Sequence, residues 1–280
     1  MRKDTKQNFI KKFGQEIYFD KKITEEMIER EKNISYDTVS KFFEAILLIE
    51  FQNKYKFKIA DLGAGAHSMN YANFIKFLKY NNGKIYWVDQ SPFMLDYAQK
   101  NTPKEFKGVF EFKEKGMVDF LKEKKDRLDG IIFKYSFNYT IPYSMENILQ
   151  IAYKSLKTGG KLFANLHFYE KEGMKERSYN AIYKIKGKEV TLGYKPKDNE
   201  IIEIEFLKKG GDKTDNPEVF AKTKIIYYSP KHIKEAALKA KFSEIRIFND
   251  WQENRRWRDL FKQLNPNIKT KPSAFLYLCK

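Results

Sequence analysis

Short apolar runs alternate with amphipathic segments over residues 57–168. Runs rich in branched and aromatic side chains predict strands, and apolar positions at helical spacing predict helices between them. Strands are expected at 57–62, 84–89, 108–113, 130–135 and 161–167, and helices at 71–78, 92–100, 118–124 and 145–156. This alternation predicts an α/β core, in which helices cover both faces of a parallel sheet.

The segments on either side of this core follow other patterns. Residues 1–56 have helical periodicity and predict an N-terminal helical cap. Segment 169–228 holds strand-like runs separated by turn residues, at 181–185, 189–194, 201–207 and 219–228, which predict an inserted antiparallel β-sheet. Segment 229–280 returns to the core, with a helix at 230–240, a strand at 244–248, a helix at 251–264 and a strand at 274–279.

The composition favours a folded protein and excludes several classes. Hydrophobic residues make up 42% of the 280 positions, enough for a core although 32% of the residues are charged. No run approaches the roughly 20 apolar residues of a membrane helix, and residues 1–12 lack the pattern of a secretory signal. The single cysteine, Cys279, excludes internal disulfides and multi-cysteine metal sites. We expect a soluble cytoplasmic protein without a metal site or membrane contact.

The net charge of +17 raises the question of a nucleic-acid partner. The lysines are spread along the whole chain, whereas phosphate-binding surfaces more often concentrate arginine. Lysine, asparagine, isoleucine, phenylalanine and tyrosine are all favoured by AT-rich codons, so the excess charge is also explained by genome composition. Nucleic acid is therefore kept as a partner that is not favoured.

A glycine-spaced turn follows the first predicted core strand, in the stretch Asp61-Leu-Gly63-Ala-Gly65-Ala-His67. Glycines let the backbone turn tightly at the strand end and approach a ligand closely. The turn alone is weak evidence, since a plain strand-to-helix connection also uses glycine. The acid two residues before Gly63 makes the pattern more specific, because a dinucleotide-binding loop normally has no acid there.

An acid also ends the second predicted strand. Asp89 is placed where a carboxylate can accept hydrogen bonds from both hydroxyls of a ribose. Ser91 and Pro92 then predict the start of a helix, as its N-cap and first residue. The alternative is that Asp89 only caps this helix, but its place one βα unit after the glycine turn favours the ribose role.

A third motif joins a helix to the fifth predicted strand. The predicted helix 145–156 ends in Leu156-Lys-Thr-Gly159-Gly160, directly before an apolar strand. Gly159 is expected to cap this helix at its C-terminus, because glycine adopts the left-handed conformation that such caps use.

These motifs, in this order and spacing, resemble the class I S-adenosylmethionine (SAM)-dependent methyltransferases. They are Asp-x-Gly-x-Gly from Asp61, Asp-x-Ser-x-x-Met-Leu-x-x-Ala from Asp89, and Ser-Leu-Lys-x-Gly-Gly-x-Leu from Ser155. The resemblance covers about 57–168 and returns at 225–280, where the pattern is similar to the small-molecule branch. It implies a Rossmann-like seven-stranded sheet with the last strand antiparallel, with SAM as cofactor and S-adenosylhomocysteine as product.

The resemblance also implies roles for individual positions. Asp61 would anchor the glycine turn near the methionine end of SAM, and Gly63, Ala64 and Gly65 would lie against the cofactor. Asp89 would bind the ribose. The other implied cofactor contacts are Gln90, Gly116 and Met117 near the adenine, and Lys134 and Tyr135 on the floor of the site.

The chain departs from the family pattern at two positions. His67 replaces the third glycine of the usual turn, and we expect its side chain to crowd the turn. Gly116-Met117 replaces an acid after the third strand.

Two other activities of this fold are disfavoured. Polyamine synthases have an acid soon after the fourth strand, and enzymes that methylate nucleic-acid bases have a Pro-Pro-aromatic sequence there; Ser136-Phe-Asn-Tyr139 offers neither.

Acceptor contacts are expected beyond the carboxyl ends of the strands, where Tyr139, Asn165 and His167 fall. We take Tyr139 and His167 as candidate catalytic residues. His167 is equally well explained as a half-buried histidine bonded to a backbone carbonyl. The cluster Arg255, Arg256 and Arg258 predicts a solvated helix face rather than a phosphate-binding patch.

The sequence thus predicts a SAM-dependent methyltransferase that acts on a nitrogen or oxygen atom of a small molecule, with the insertion as a roof over the acceptor. Two alternatives stay open. One is a methyltransferase of RNA or protein that uses the basic surface, and the other is a SAM-binding interaction module without catalysis.

Overall fold

A computed structural model of the chain describes residues 20, 21, 23–25, 28, 29, 36–140, 143–166, 182–185, 188–196, 201–208, 219–226, 228–248, 254–264 and 274–280. The strands in chain order are β1 Lys58–Leu62, β2 Lys84–Asp89, β3 Phe110–Glu114, β4 Leu128–Phe133, β5 Leu156–Leu166, β6 Ile182–Ile185, β7 Lys188–Pro196, β8 Ile201–Lys208, β9 Val219–Ile226, β10 Glu244–Phe248 and β11 Ala274–Cys279. The helices are α1 Tyr36–Phe51, α2 Ala72–Tyr80, α3 Pro92–Asn101, α4 Met117–Lys122, α5 Met145–Ser155, α6 Pro230–Lys239 and α7 Arg255–Leu264, with 3₁₀ turns at Ser68–Tyr71, Lys104–Val109 and Phe137–Tyr139.

The core is a seven-stranded sheet in the order β10-β11-β5-β4-β1-β2-β3. Strands β1 to β5 pair in parallel, whereas β11 runs antiparallel to both β5 and β10. The predicted Rossmann-like fold class, with its antiparallel last strand, is confirmed. The strand order places the parallel strands β4, β1 and β2 side by side, so their carboxyl ends meet at one edge of the sheet.

Apolar side chains cover the sheet on both faces, as a parallel sheet requires. One layer joins strand residues to α4, α5 and α6 through buried side chains such as Phe120, Ile148 and Ile233. The other layer joins the sheet to α1, α2, α3 and α7 through buried side chains such as Phe43, Phe74 and Trp257. Because the two apolar layers cover the faces of the sheet, the polar residues at the strand ends lie at its edges.

Helix α1, from the predicted N-terminal cap, is fixed to the core by two acidic side chains. Glu44 is 5% exposed, and its carboxylate accepts hydrogen bonds from Asn73 N at 2.5 Å and Phe74 N at 3.2 Å, in the first turn of α2. A carboxylate at a helix N-terminus satisfies free N–H groups and the helix dipole together. Glu50 accepts from Lys161 Nζ at 2.6 Å and from Trp257 Nε1 at 3.0 Å, which ties α1 to β5 and α7.

A second sheet interrupts the core between β5 and α6. Its four strands pair antiparallel in the order β6-β7-β8-β9. The predicted antiparallel insertion is therefore confirmed as part of the fold. The predicted segment limits 1–56, 57–168, 169–228 and 229–280 stay predictions.

The prediction that Gly159 caps a helix is wrong. Helix α5 ends at Ser155, and Leu156 is already extended, with φ −77° and ψ 143°. Gly159 lies inside β5 at φ +72°, where a shift in the register between β4 and β5 makes a bulge. Its N–H donates to Lys280 O at 2.9 Å, so the left-handed glycine serves a turn within the strand.

Replacing the buried Glu44 tests how α1 is attached. We expect Glu44→Ala to lower the free energy of unfolding by about 2–4 kcal/mol, because buried N–H donors of α2 lose their acceptor. Urea denaturation followed by circular dichroism measures the change. Glu235→Ala, at an exposed position of α6, is the control and should change stability by less than about 0.5 kcal/mol. Equal small changes in both variants would show that α1 does not depend on Glu44.

Candidate functional site

The glycine turn lies at the carboxyl ends of β1 and β2. Gly63 N and Ala64 N both donate to Val88 O, at 2.8 and 3.0 Å, which holds the turn against the end of β2. Gly63 and Gly65 have φ values of +66° and +70°, a conformation that favours glycine. A Cβ on Gly63 would lie 2.6 Å from Ser136 Cβ, whereas a Cβ on Gly65 would have no atom of the described residues within 4 Å. Within the described part of the chain, the backbone at Gly65 therefore faces open space.

Side chains of β2 hold the far end of this turn. Trp87 Nε1 donates to Gly65 O at 2.8 Å, and Asp89 Oδ2 accepts from Gly65 N at 3.0 Å. The other Asp89 oxygen accepts from Ser91 N at 2.8 Å, at the start of α3. Ser91 is the N-cap of α3 and Pro92 its first residue, as predicted. Asp89 thus shapes both the turn and the helix start, and stands half-buried at the edge of the sheet.

Burial raises the pKa of Asp89, while hydrogen bonds from the backbone N–H groups of Ser91, Gly65 and Gln90 oppose the rise. These donors favour the ionised form. The half-buried Gln90 is the residue between Asp89 and the α3 cap.

Asp61, at the end of β1, is fully buried. Neither carboxylate oxygen has a partner at hydrogen-bond geometry within the described residues. Burial raises the pKa of Asp61 to about 6, and the Asp89 charge adds to the rise. The Lys134 charge and the Tyr71 hydroxyl act in the opposite direction. A buried carboxylate without good donors is costly, which makes this residue a candidate for binding a cation or a donor group.

Lys134 directly follows β4, and Tyr71 ends the turn before α2; both influence Asp61. Lys134 is 8% exposed, and its Nζ donates to Ser40 Oγ of α1 at 3.1 Å. The same ammonium lies 5.1 Å from the centre of the Tyr71 ring. Burial, followed by the charge of Asp61, raises the pKa of Tyr71 well above its ordinary value. Sequence reasoning missed Ser40 and Tyr71, because no local pattern indicates which distant helix or turn meets the strand ends.

The residues after β4 have an unusual backbone. Tyr135 adopts φ +58°, and its N–H donates to Asn165 Oδ1 at 2.6 Å. Burial raises the pKa of the Tyr135 hydroxyl to about 12. Asn165 is 1% exposed, and its Nδ2 is a buried donor with no partner among the described residues. Ser136 donates through Oγ to Leu62 O, so the end of β4 is tied to β1 as well.

The other predicted site residues lie on neighbouring elements. Gly116 is the N-cap of α4, and Met117 Sδ would lie 3.3 Å from a Cβ on Gly63, so Met117 is beside the glycine turn. Tyr139 is half-buried in the 3₁₀ turn after β4. His167 falls outside the described residues. His67 has φ −105°, so its position does not need glycine, and its ring packs on Tyr97 at 5.8 Å rather than crowding the turn.

These features fit the cofactor that the motifs imply. The space beside Gly65 can take a ligand close to the backbone, and no described residue donates a hydrogen bond to the buried Asp61 carboxylate, which a bound ammonium would do. Among the residues that the structure describes, no three or more His, Cys, Asp or Glu side chains form a group able to hold a metal ion. In the same part of the chain, no helix has the length and apolar character needed to span a membrane.

The two glycines of the turn should respond differently to substitution. Gly63→Ala places its Cβ against Ser136 and forces a left-handed alanine, so we expect a loss of about 3 kcal/mol or more. Gly65→Ala carries only the backbone cost of about 1–2 kcal/mol. Urea denaturation of both variants measures the difference. A larger loss for Gly65→Ala would contradict this arrangement of the turn.

The buried Asp61 predicts a pH dependence of stability. Its pKa rises from 3.8 to about 6 on folding, so the folded protein holds this proton more tightly than the unfolded chain. The Asp61 contribution to stability is therefore constant below about pH 4. It falls as pH rises from about 4 to about 6, and it is constant again above that range. Asp61→Asn removes this contribution. The stability of the variant relative to wild type should increase by on the order of 2–3 kcal/mol between pH 4 and pH 7.

Urea denaturation at several pH values measures this difference. Asp96→Asn, which removes a carboxylate at an exposed position of α3, is the control for the loss of a charge. A flat profile for Asp61→Asn would contradict a raised pKa at Asp61.

Comparison with known proteins places the chain in a family. Residues 53–209, more than half of the chain, match the family model described as Methyltransferase domain. No curated protein is similar enough to the sequence to match it. Three solved structures share the fold. One is a SAM-dependent methyltransferase from Clostridium acetobutylicum, with 15% identity and a TM-score of 0.57, covering 89% of this chain and 93% of that chain.

The other two structures are named as sugar-modifying enzymes. The SAM-bound amino pentose methyltransferase CalS10 from Micromonospora echinaspora has 12% identity and a TM-score of 0.58, covering 91% of this chain and 96% of its own. The sugar N-methyltransferase KedS8 from a Streptoalloteichus species has 10% identity and a TM-score of 0.58, covering 91% and 92%. At such identities the structures establish the fold, and the family match establishes the enzyme class. The chain therefore belongs to the Methyltransferase domain family, with the class I fold.

Proposed function

We propose that this enzyme transfers a methyl group from SAM to a nitrogen or oxygen atom of a small molecule. The observation that carries the proposal is the position of the inserted sheet. Its last strand, β9, packs against the turn Phe137–Tyr139, which directly follows β4 at the cofactor edge. An insertion over this edge suits a small acceptor, which must be enclosed, better than a polymer, which needs an open groove.

Buried contacts join the insertion to the core. Thr223 and Ile225 of β9 are 1% and 2% exposed, and the ring of the buried Tyr228 lies 5.8 Å from the ring of Phe137. The side chain of Phe137 also packs edge-on against Phe133 of β4 at 4.9 Å. This aromatic connection supports a roof that packs on the core beside the end of β4.

The printed names of two structural neighbours suggest which acceptors to test first. One is an amino pentose methyltransferase and the other a sugar N-methyltransferase. We propose amino sugars as the first acceptor class, with the hydroxyl groups of small molecules as the second.

SAM supplies a methyl group on a positively charged sulfur, already activated for displacement by an acceptor. The residues of this chain bind and orient it. We propose that Gly63, Ala64 and Gly65 lie against the cofactor and that Asp89 accepts hydrogen bonds from the ribose hydroxyls. The remaining proposed contacts are Gln90, Gly116 and Met117 around the adenine, Asp61 toward the methionine ammonium, and Lys134 and Tyr135 on the floor.

Catalysis then rests mainly on holding the acceptor in line with the methyl group. We propose that Tyr139 and His167 contact the acceptor. A base is needed only when the attacking atom still carries a proton that it must lose in the reaction. Tyr139 is suited to orienting the acceptor, because it lies in the turn against which the inserted sheet packs.

The arrangement of segments supports separate binding sites for the cofactor and the acceptor. We propose that 57–168 and 229–280 form the SAM-binding core, that 169–228 is the acceptor lobe, and that 1–56 covers the cofactor side. The proposed compartment is the cytoplasm, in agreement with a single cysteine.

An RNA methyltransferase is the rival function, and helix α7 is the observation that favours it. Arg255, Arg256 and Lys262 are exposed on this helix, while Trp257 and Phe261 are buried beneath them. Arg258 pairs with Asp259 at 3.0 Å. A solvated face on a packed helix explains this pattern as well as a phosphate-binding surface does.

Cofactor binding at Asp89 is the first test. We expect wild-type protein to bind SAM or S-adenosylhomocysteine with micromolar affinity. Asp89→Ala should weaken binding by about 1–3 kcal/mol, because the ribose hydroxyls lose their acceptor and the Gly65 N–H is released. Isothermal titration calorimetry measures both. The control is Asp96→Ala, in the helix that follows Asp89 but exposed and paired with Lys100, which should bind like wild type.

Methyl transfer from labelled SAM to pools of amino sugars, small phenols and RNA then separates the proposed function from its rival. Label in the amino-sugar or phenol pool supports a small-molecule enzyme. Label in RNA at physiological salt, lost on Arg255→Ala/Arg256→Ala, would favour the rival. Absence of SAM binding by the wild type would contradict the proposed function in every form.

A further inference from the structure

Asn165 is a buried amide of which the described fold uses only one end. It is the penultimate residue of β5 and is 1% exposed. Its Oδ1 accepts a hydrogen bond from Tyr135 N at 2.6 Å. Only the oxygen of an amide can accept this bond, so the orientation of the side chain is fixed, and the opposite end is the Nδ2 donor.

The Nδ2 end of this amide is buried without an acceptor. No described residue accepts a hydrogen bond from it, and a buried donor left unpaired costs about 1–3 kcal/mol. The oxygen end has a clear structural use, because Tyr135 adopts φ +58°, a left-handed conformation that is costly for residues other than glycine. The fold therefore explains the oxygen of Asn165 and leaves its nitrogen unexplained.

The position of β5 in the sheet separates Asn165 from the proposed cofactor contacts. The sheet order β5-β4-β1-β2 places Asn165 on the far side of β4 from the glycine turn, which follows β1. Side chains alternate along a strand, so Asn165 shares a face with Phe163, in the layer that α1 covers. Its register partner on β11, Phe275, packs edge-on against Phe43 of α1 at 5.2 Å.

The turn Phe137–Tyr139 connects the end of β5 with the proposed roof. Both β5 and β9, the last strand of the inserted sheet, pack against this turn. On β9, Thr223 is 1% exposed, and its hydroxyl is also buried without a partner among the described residues. Two strands that meet the same turn thus each bury an unsatisfied polar group, which indicates a polar ligand on this side of β4.

We propose that Asn165 recognises the methyl acceptor, by donating a hydrogen bond from Nδ2 to an oxygen atom near the atom that is methylated. The inference rests on the proposed function and adds a chemical requirement to the acceptor. An N–H group can pair only with an atom that offers a lone pair, such as the ring oxygen or a hydroxyl of a sugar. A hydrocarbon amine of the same shape leaves Nδ2 unpaired, and a buried polar group that loses its partner discriminates strongly between such analogues.

Two small amines test this requirement, 3-aminotetrahydropyran and cyclohexylamine. They have the same ring size, but the first carries a ring oxygen, which accepts hydrogen bonds and cannot donate them. With labelled SAM, wild-type protein should show a kcat/KM at least about 10-fold higher for the oxygen-containing amine. Effects on folding or on cofactor binding are common to both amines and cancel in this ratio.

Variants of Asn165 then assign the preference to Nδ2. Asn165→Asp keeps an oxygen for the Tyr135 N–H and removes the amide nitrogen, while Asn165→Leu removes both ends. Both variants should bring the ratio of the two kcat/KM values close to unity. Asn81→Leu is the matched control, because it removes a half-buried amide whose Nδ2 donates to Phe77 O at 2.9 Å, before the start of β2 at the opposite edge of the sheet. It should keep the wild-type ratio.

Calorimetry with SAM separates an acceptor contact from a cofactor contact, and Asn165→Asp should bind SAM like wild type. Weaker SAM binding with an unchanged ratio would assign Nδ2 to the cofactor and overturn the inference. A wild-type ratio near unity, or an unchanged ratio in a variant of Asn165 that is folded by circular dichroism, would also overturn it. If neither amine is methylated while amino sugars take the label, this inference fails alone. If no small molecule takes the label, the proposed function fails with it.

Discussion

Burial of the Asp61 carboxylate is the constraint around which the candidate site is organised. Its oxygens lie at the end of β1 with no exposed surface, and the charge of Lys134 and the hydroxyl of Tyr71 offset the cost only in part. Helix α1 positions both groups. Ser40 accepts a hydrogen bond from Lys134, and Glu44 fixes the helix that begins directly after Tyr71. The N-terminal helix therefore belongs to the electrostatics of the site, and is more than a cover laid over a finished core.

Elements with local signals were predictable from the sequence. The bounds of β2 and the start of α3 match their predictions, because an apolar run, an N-cap serine and a helix-initiating proline lie within a few residues of each other. The end of β4 was predicted two residues too late, at Tyr135. Strand β4 stops at Phe133 because Tyr135 takes a left-handed backbone and gives its N–H to Asn165, a residue thirty positions away. Contacts over such distances leave no periodic pattern.

The candidate site divides in the same way. The glycine turn and Asp89 carry recognisable motifs, whereas Ser40 and Tyr71 reach the site only through the packing of α1 and the turn before α2. Gly159 shows how a correct local property can be assigned to the wrong element. It does adopt the left-handed conformation expected of a cap, but the pairing of β5 with β4 and with the C-terminus places it in a bulge instead. His67 shows the reverse case, since a negative φ removes the need for the missing glycine.

Burial raises the pKa values of Asp61 and Asp89, which stand at adjacent strand ends, and the charge of Asp89 adds to the cost of ionising Asp61. Folding alone does not relieve this cost, because the described donors reach Asp89 but leave both oxygens of Asp61 without a hydrogen bond. A ligand that carries positive charge relieves it, and the free energy so released contributes to affinity rather than to the stability of the empty protein. Local violations of good packing and polar satisfaction are expected where a protein binds its ligand. The buried carboxylate of Asp61 is thus better explained by a bound cationic group, as proposed for the methionine ammonium of SAM, than by the needs of the fold alone.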